Sequence, residues 1–166
     1  MELQKTNKTN KFSKSITKAI SKALYEKVLK HILVSINEED KETNNGFNSY
    51  LSRKAKLISL MEEAYRDLEF NPSQIALTVC YADKFISSLT KKGHKFNFIF
   101  MKSILILSIT AAHKMTCDFP YSTSVIEKYF EISNLGQLEG EYYELVSYEF
   151  YISSDEVEGY LKLLLA

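Results

Sequence analysis

The chain has 166 residues, 45% of them hydrophobic, with five glycines and two prolines. That balance excludes a disordered or collagen-like chain and fits one helix-rich body able to bury about two-thirds of its unfolded surface. The formal net charge is zero, but residues 1–36 carry eight lysines against Glu2 and Glu26, while residues 118–166 carry ten acids against Lys128 and Lys162. An asymmetry of that kind suits either a basic partner for the C-terminal half or pairing within the chain.

Residues 1–10 are polar and are expected to be disordered. From Phe12 onward, Phe12, Ile16, Ile20, Ala23, Leu24 and Val28 recur at helical spacing with lysines on the other face, which predicts a basic amphipathic helix. Residues 37–46 are charged and end in turn formers, so residues 1–46 read as a basic helix plus a linker and residues 47–166 as the main domain. A helix is predicted from about Phe47 to Arg66, with Tyr50, Leu51, Lys54, Leu57, Ile58 and Met61 on one side and Arg53 beside them. Asn71-Pro72-Ser73-Gln74 opens the next, to about Ser88, with Asn71 as N-cap, Pro72 at the first helical position and Gln74 closing a capping box. Asp83 is its acid. The loop 91–95 leads to a helix starting at Asn97 whose middle, Ile104 to Ala112, is apolar around its whole circumference. It is too short and too interrupted to span a membrane, so it must be a central helix covered by neighbours on every face. Beyond Pro120, Ser122 or Thr123 caps a short helix with Val125, Ile126, Tyr129 and Phe130 inward. Ser133 or Asn134 starts another, running to about Glu149 with Leu135, Leu138, Tyr142 and Leu145 as a stripe. Ser153 to Glu156 forms a capping box for a last helix through Val157, Tyr160, Leu161 and Leu164. No segment alternates like a strand. The prediction is all-α.

No phosphate-binding glycine loop, nucleophile elbow or metalloprotease histidine pair occurs, so no enzymatic activity, cofactor or small-molecule substrate is expected. His113 and Cys117 stand one turn apart beside Asp118, but further ligands are lacking, and a structural histidine is the better reading than a zinc site. Cys80 and Cys117 make no disulfide framework and no signal peptide opens the chain, so the expected setting is cytoplasmic or nuclear, with free thiols. The informative polar groups are Lys114, leaving the core helix at a fixed place, and Glu139, which heads the stripe Tyr143, Val146, Phe150. A carboxylate there needs hydrogen-bond donors. Either Lys114 and Glu139 satisfy each other, or both offer charge to main-chain groups of a partner.

Ala111-Ala112-His113-Lys114-Met115, with Asp118 and Tyr121, resembles the AAK-aromatic…D…Y end of the third helix of a cyclin box. Residues 131–139, EISNLGQLE, resemble, with two positions fewer, the G-[IV]-S-x-x-E-L-N-x-L-E segment of single-box, phosphate-pathway cyclins. Val146, Tyr148 and Phe150 fall on that family's L-x-F-x-L, and Glu156 to Tyr160 on its E-[FL]-x-x-Y. Tyr81-Ala82-Asp83-Lys84-Phe85 is similar to Y-[IL]-D-R-[FL], and Tyr50-Leu51-Ser52-Arg53 to Y-[IL]-x-R-[IL]. The resemblance covers residues 47–164. Gly136 replaces a glutamate of the pattern, with Asn134 and Gln137 offering a cap one residue away. Lys84 replaces an arginine, and Phe119-Pro120 stands where a second acid is common.

The resemblance implies a five-helix cyclin box around the central helix, with an extra N-terminal and a C-terminal helix. It also implies a regulatory subunit that binds a cyclin-dependent kinase and holds its C-helix in the active position. Lys114 and Glu139 would grip the kinase, with Met115 and Tyr143 beside them, and Arg53 and Asp83 would form an internal structural pair. A membrane partner is not expected. Nucleic acid is the second reading: a cyclin-fold adaptor, for nucleic acid or transcription factors, using the lysines of the N-terminal helix for phosphate contacts.

Overall fold

Six helices follow one another in the computed structural model, which describes residues 46–94 and 98–165, and no strand occurs among the described residues. They are α1 (Gly46–Asp67), α2 (Pro72–Lys91), α3 (Phe98–Thr116), α4 (Thr123–Phe130), α5 (Leu135–Leu145) and α6 (Ser154–Leu165). The predicted amphipathic helix and most of its linker lie outside the described residues, as do the side chains of Tyr50, Leu51 and Lys54.

The apolar circumference of α3 has the predicted consequence. Every residue from Ile104 to Ala112 is buried, with α2, α1 and α5 packed against it, α2 most extensively. Two hydroxyls inside this rod have no water to turn to, so each bonds back one turn: Ser108 Oγ to the Ile104 carbonyl and Thr110 Oγ1 to the Ile106 carbonyl, both at 2.7 Å. The second large contact is α2 on α6. On α1, Leu57 and Met61 are buried as predicted and Ile58 is partly so.

Local signals set the starts of α2 and α6. The Asn71 side chain accepts the Gln74 N–H at 2.9 Å while Gln74 Oε1 accepts the Asn71 N–H at 2.9 Å. Ser153 and Glu156 repeat the exchange at 3.2 and 3.0 Å. Helix ends follow a second rule. After α1, α2, α4 and α5 the chain enters the left-handed region at Glu69, Gly93, Glu131 and Ser147. In each case the next N–H reaches back five residues, as in Phe70 to the Tyr65 carbonyl at 2.9 Å and Tyr148 to the Tyr143 carbonyl at 2.8 Å. This is the Schellman geometry, with the Tyr65 and Phe70 rings stacked at 5.6 Å as its apolar clasp. Gly93 takes that conformation without strain. At the other three positions the closing hydrogen bonds, and after Glu69 the burial of Phe70, must offset a cost of about 1 kcal/mol each.

Three expectations are corrected. Helix α5 stops at Leu145, not Glu149, because Ser147 and Tyr148 both have positive φ. Asn134 lies in the left-handed region and makes no side-chain cap with its own helix. The first N–H of α5 goes instead to Glu127 on α4, Leu135 N to Glu127 Oε1 at 2.7 Å. On α4 only Ile126 and Phe130 point inward; Val125 and Tyr129 are exposed.

One core group is badly placed. The Tyr65 hydroxyl is fully buried and has no hydrogen-bond partner among the described residues. The neighbouring Thr78 hydroxyl donates to the Gln74 carbonyl at 3.0 Å and does not meet the phenol in hydrogen-bond geometry. Burial pushes the Tyr65 phenol well above its usual pKa, with the Thr78 hydroxyl opposing. Tyr65→Phe is therefore expected to raise stability by about 1 kcal/mol, since an orphaned buried donor carries a desolvation penalty. Urea unfolding of the two proteins checks this, and a lower midpoint for the variant contradicts it.

Candidate partner-binding site

Lys114 lies in the last turn of α3, where a cation also complements the carbonyl end of the helix. Its side chain is 29% exposed, whereas the Glu139 side chain is 8% exposed. Lys114 Nζ donates to Glu139 Oε1 at 2.8 Å and to Thr123 Oγ1 at 2.7 Å. The Thr123 hydroxyl donates to Glu139 Oε2 at 3.1 Å. From one turn further along α5, the Tyr143 hydroxyl donates to Glu139 Oε1 at 3.0 Å. Burial, reinforced by the Glu139 charge, pushes the Tyr143 phenol above its usual pKa and keeps it a donor. Three helices thus meet at one carboxylate, with α3 bringing the ammonium, α4 a hydroxyl, and α5 the acid and a phenol.

Of the two alternatives for Lys114 and Glu139, the direct ion pair forms, without closing the site to an outside group. An ammonium has three donors and a carboxylate about four lone-pair positions, of which the contacts above occupy two and three. Met115, the next residue, is 56% exposed. Phe119 and Tyr121, which follow α3 in the chain, are exposed as well.

His113 holds the chain that follows α3. It is buried, stacked on Phe70 at 6.4 Å and on Tyr121 at 5.5 Å. Its Nε2 accepts the Tyr121 N–H at 3.0 Å. Burial, followed by the Lys114 charge, lowers its pKa, which keeps the ring neutral and able to accept. The imidazole pins the turn after α3, a structural use of the nitrogen that a metal would need. Among the described residues no cluster of histidine, cysteine and acids could hold a metal ion, and no helix is long and apolar enough to cross a membrane.

Asp83 and Arg53 stand apart from this site. Asp83 Oδ2 accepts the Tyr160 hydroxyl at 2.5 Å, which ties α6 to α2, and partial burial, followed by this carboxylate, pushes the Tyr160 phenol upward in pKa. Arg53 is exposed on α1, and its pairing with Asp83 rests on the resemblance. Lys84 donates to the Glu149 carbonyl beyond α5.

Thr123 is the site residue that sequence reading missed. Either Ser122 or Thr123 fits an N-cap, and nothing local decides between them. Ser122 takes the role, accepting the Val125 N–H at 3.4 Å, so Thr123 becomes the first helical residue with its hydroxyl turned to Lys114. No family model, curated protein or solved structure matches the chain.

Proposed function

We propose that this chain is a cyclin-type regulatory subunit that binds a cyclin-dependent serine/threonine kinase and stabilises its active conformation. The observation that carries the reading is the Lys114–Glu139 pair, buried on its acid side, open on its ammonium side and bordered by the exposed Met115. The order of the motifs supports it. Residues 50–53 fall on α1, 81–85 on α2, 111–115 at the end of α3, 131–139 across the α4–α5 turn, and 156–160 on α6. Helix α3, covered by its neighbours, would be the centre of the five-helix cyclin box that the resemblance implies.

In this reading the protein supplies no chemistry. Lys114 offers its remaining donor, and Glu139 its remaining lone pair, to main-chain groups beside the kinase C-helix, while Met115 and the Tyr143 ring supply apolar contact. Binding the active conformer more tightly than the inactive one shifts the population between them, and tenfold tighter binding shifts the ratio tenfold. The kinase's own lysine–glutamate pair can then organise ATP.

The test exchanges the charges, Lys114→Glu together with Glu139→Lys. An ion pair can re-form, and the Thr123 and Tyr143 hydroxyls can accept as readily as donate, so helicity and melting should stay near those of the unsubstituted chain. Capture of a kinase and stimulation of its activity toward a peptide substrate should both be lost. Undiminished capture by the exchanged variant sinks this interface; capture by the original chain without stimulation would identify a scaffold instead.

A further inference from the structure

The pair is built with a third member that no motif supplies. Thr123 Oγ1 accepts from Lys114 Nζ at 2.7 Å and donates to Glu139 Oε2 at 3.1 Å. A hydroxyl can do both at once; a carbonyl, an amide N–H or a second charge cannot. Its direction is also held. Threonine is β-branched and stiff about χ1, and its γ-methyl faces Gly136 in the first turn of α5, 3.8 Å from where a Cβ would stand. Gly136 is one of several residues at which this chain departs from the cyclin pattern, and a Cβ in its place would meet the methyl at ordinary van der Waals distance. Lysine, by contrast, has four rotatable stem bonds, and a 29% exposed ammonium held by the carboxylate alone could swing out to water.

We propose that Thr123 is the positioning residue of the partner-binding pair. It fixes the Lys114 ammonium against Glu139 so that the remaining N–H emerges in one direction, ready for a main-chain carbonyl of the kinase. The assignment rests on the reading in the preceding subsection. Its energetic content is pre-organisation: a side chain already ordered in the unbound protein loses less freedom on binding. The bound geometry is then set by α4 as well as by α3 and α5.

The experiment uses the full chain and purified monomeric cyclin-dependent kinases, taking one that the unsubstituted protein captures. Thr123→Val keeps the shape and removes both hydrogen bonds, and affinity should fall about tenfold, the loss typical of one or two such bonds. Thr123→Ser keeps the hydroxyl and should bind within about threefold of the original. The deciding readout is the same substitution in a Lys114→Met background. If Thr123 acts through Lys114, adding Thr123→Val there changes affinity by less than about twofold. If Thr123 merely supports the fold, the full loss recurs with or without the lysine, and melting temperatures fall in step with it. Equal binding by the original chain and Thr123→Val overturns the assignment alone. Capture of no kinase by the original chain overturns the underlying reading, and the assignment with it.

Discussion

Lys114→Ala is expected to destabilise the protein more than Glu139→Ala does, although both remove the same ion pair. Removing the lysine leaves a carboxylate that is 8% exposed with only the Thr123 and Tyr143 hydroxyls to solvate it. Breaking a buried pair from that side typically costs about 3–5 kcal/mol, and the partial exposure of the lysine lowers the expectation to about 2–4 kcal/mol. Removing the glutamate instead leaves an ammonium whose flexible stem can carry it outward, with the loss of hydrogen bonds costing about 1–2 kcal/mol. Urea midpoints of the two single variants, with equal m-values, measure the difference. Equal losses would mean that Glu139 reaches water in solution, against its observed burial.

The same asymmetry bears on binding. A pair satisfied within the chain gains little by being broken, so a partner that demanded either charge for itself would face the full cost of stranding the other. The lower-energy arrangement leaves the pair intact and adds to it, one carbonyl on the exposed side of Lys114 and one N–H at the remaining Glu139 lone pair. Charges arranged this way contribute orientation and discrimination more than raw affinity, and in the proposed reading the apolar contact at Met115 would be left to supply much of the binding energy.

What could be read from the sequence follows from how local each signal is. The all-round apolar run of α3 admits one solution in water, burial on every side. The capping boxes at Asn71 and Ser153 are complete within four residues. Helix ends were harder, because the usual marker is glycine at the left-handed position and only Gly93 obeys it. Glu69, Glu131 and Ser147 take that conformation with the next N–H bonded five residues back, and after Glu69 the chain is also held by the burial of Phe70 and by the Tyr65 ring. The cap of α5 escaped altogether, since Glu127 reaches Leu135 through space from another helix. The short α4 was read with too wide an apolar face. Ile126 and Phe130, one turn apart, fill the space available, and Tyr129 turns its hydroxyl outward to Asp67 at 2.7 Å. At the site, a carboxylate within an apolar stripe and a lysine at the end of a buried rod both stood out by their cost. That they meet, and that Thr123 joins them, depends on how α4 and α5 return to α3, which no local pattern encodes.

Phe85→Ala is expected to have the largest effect of any single truncation of a motif residue, because of where α5 is anchored. Phe85 is fully buried on α2, and its ring meets that of Tyr142 on α5 edge to face, with centroids 5.6 Å apart. Truncating a core phenylalanine typically costs about 3–5 kcal/mol in lost transfer energy and cavity, part of it here from the aromatic pair. In a domain of this size that lowers Tm by about 10 °C, a large fraction of the margin that single domains usually possess. Phe85→Leu, which refills most of the cavity, should cost less than half as much. Thermal and urea unfolding test both, and a loss below about 1 kcal/mol for the alanine variant would mean that α2 and α5 are not packed as described. The consequence extends to the site, because Tyr142 precedes Tyr143 and lies three residues beyond Glu139 on the same helix. When α5 loses its hold on α2, the carboxylate loses its fixed distance to Lys114. Under the proposed function, affinity for a kinase should then fall even at temperatures where the variant remains folded, whereas a truncation on α1 of similar cost, Met61→Ala, should leave it unchanged.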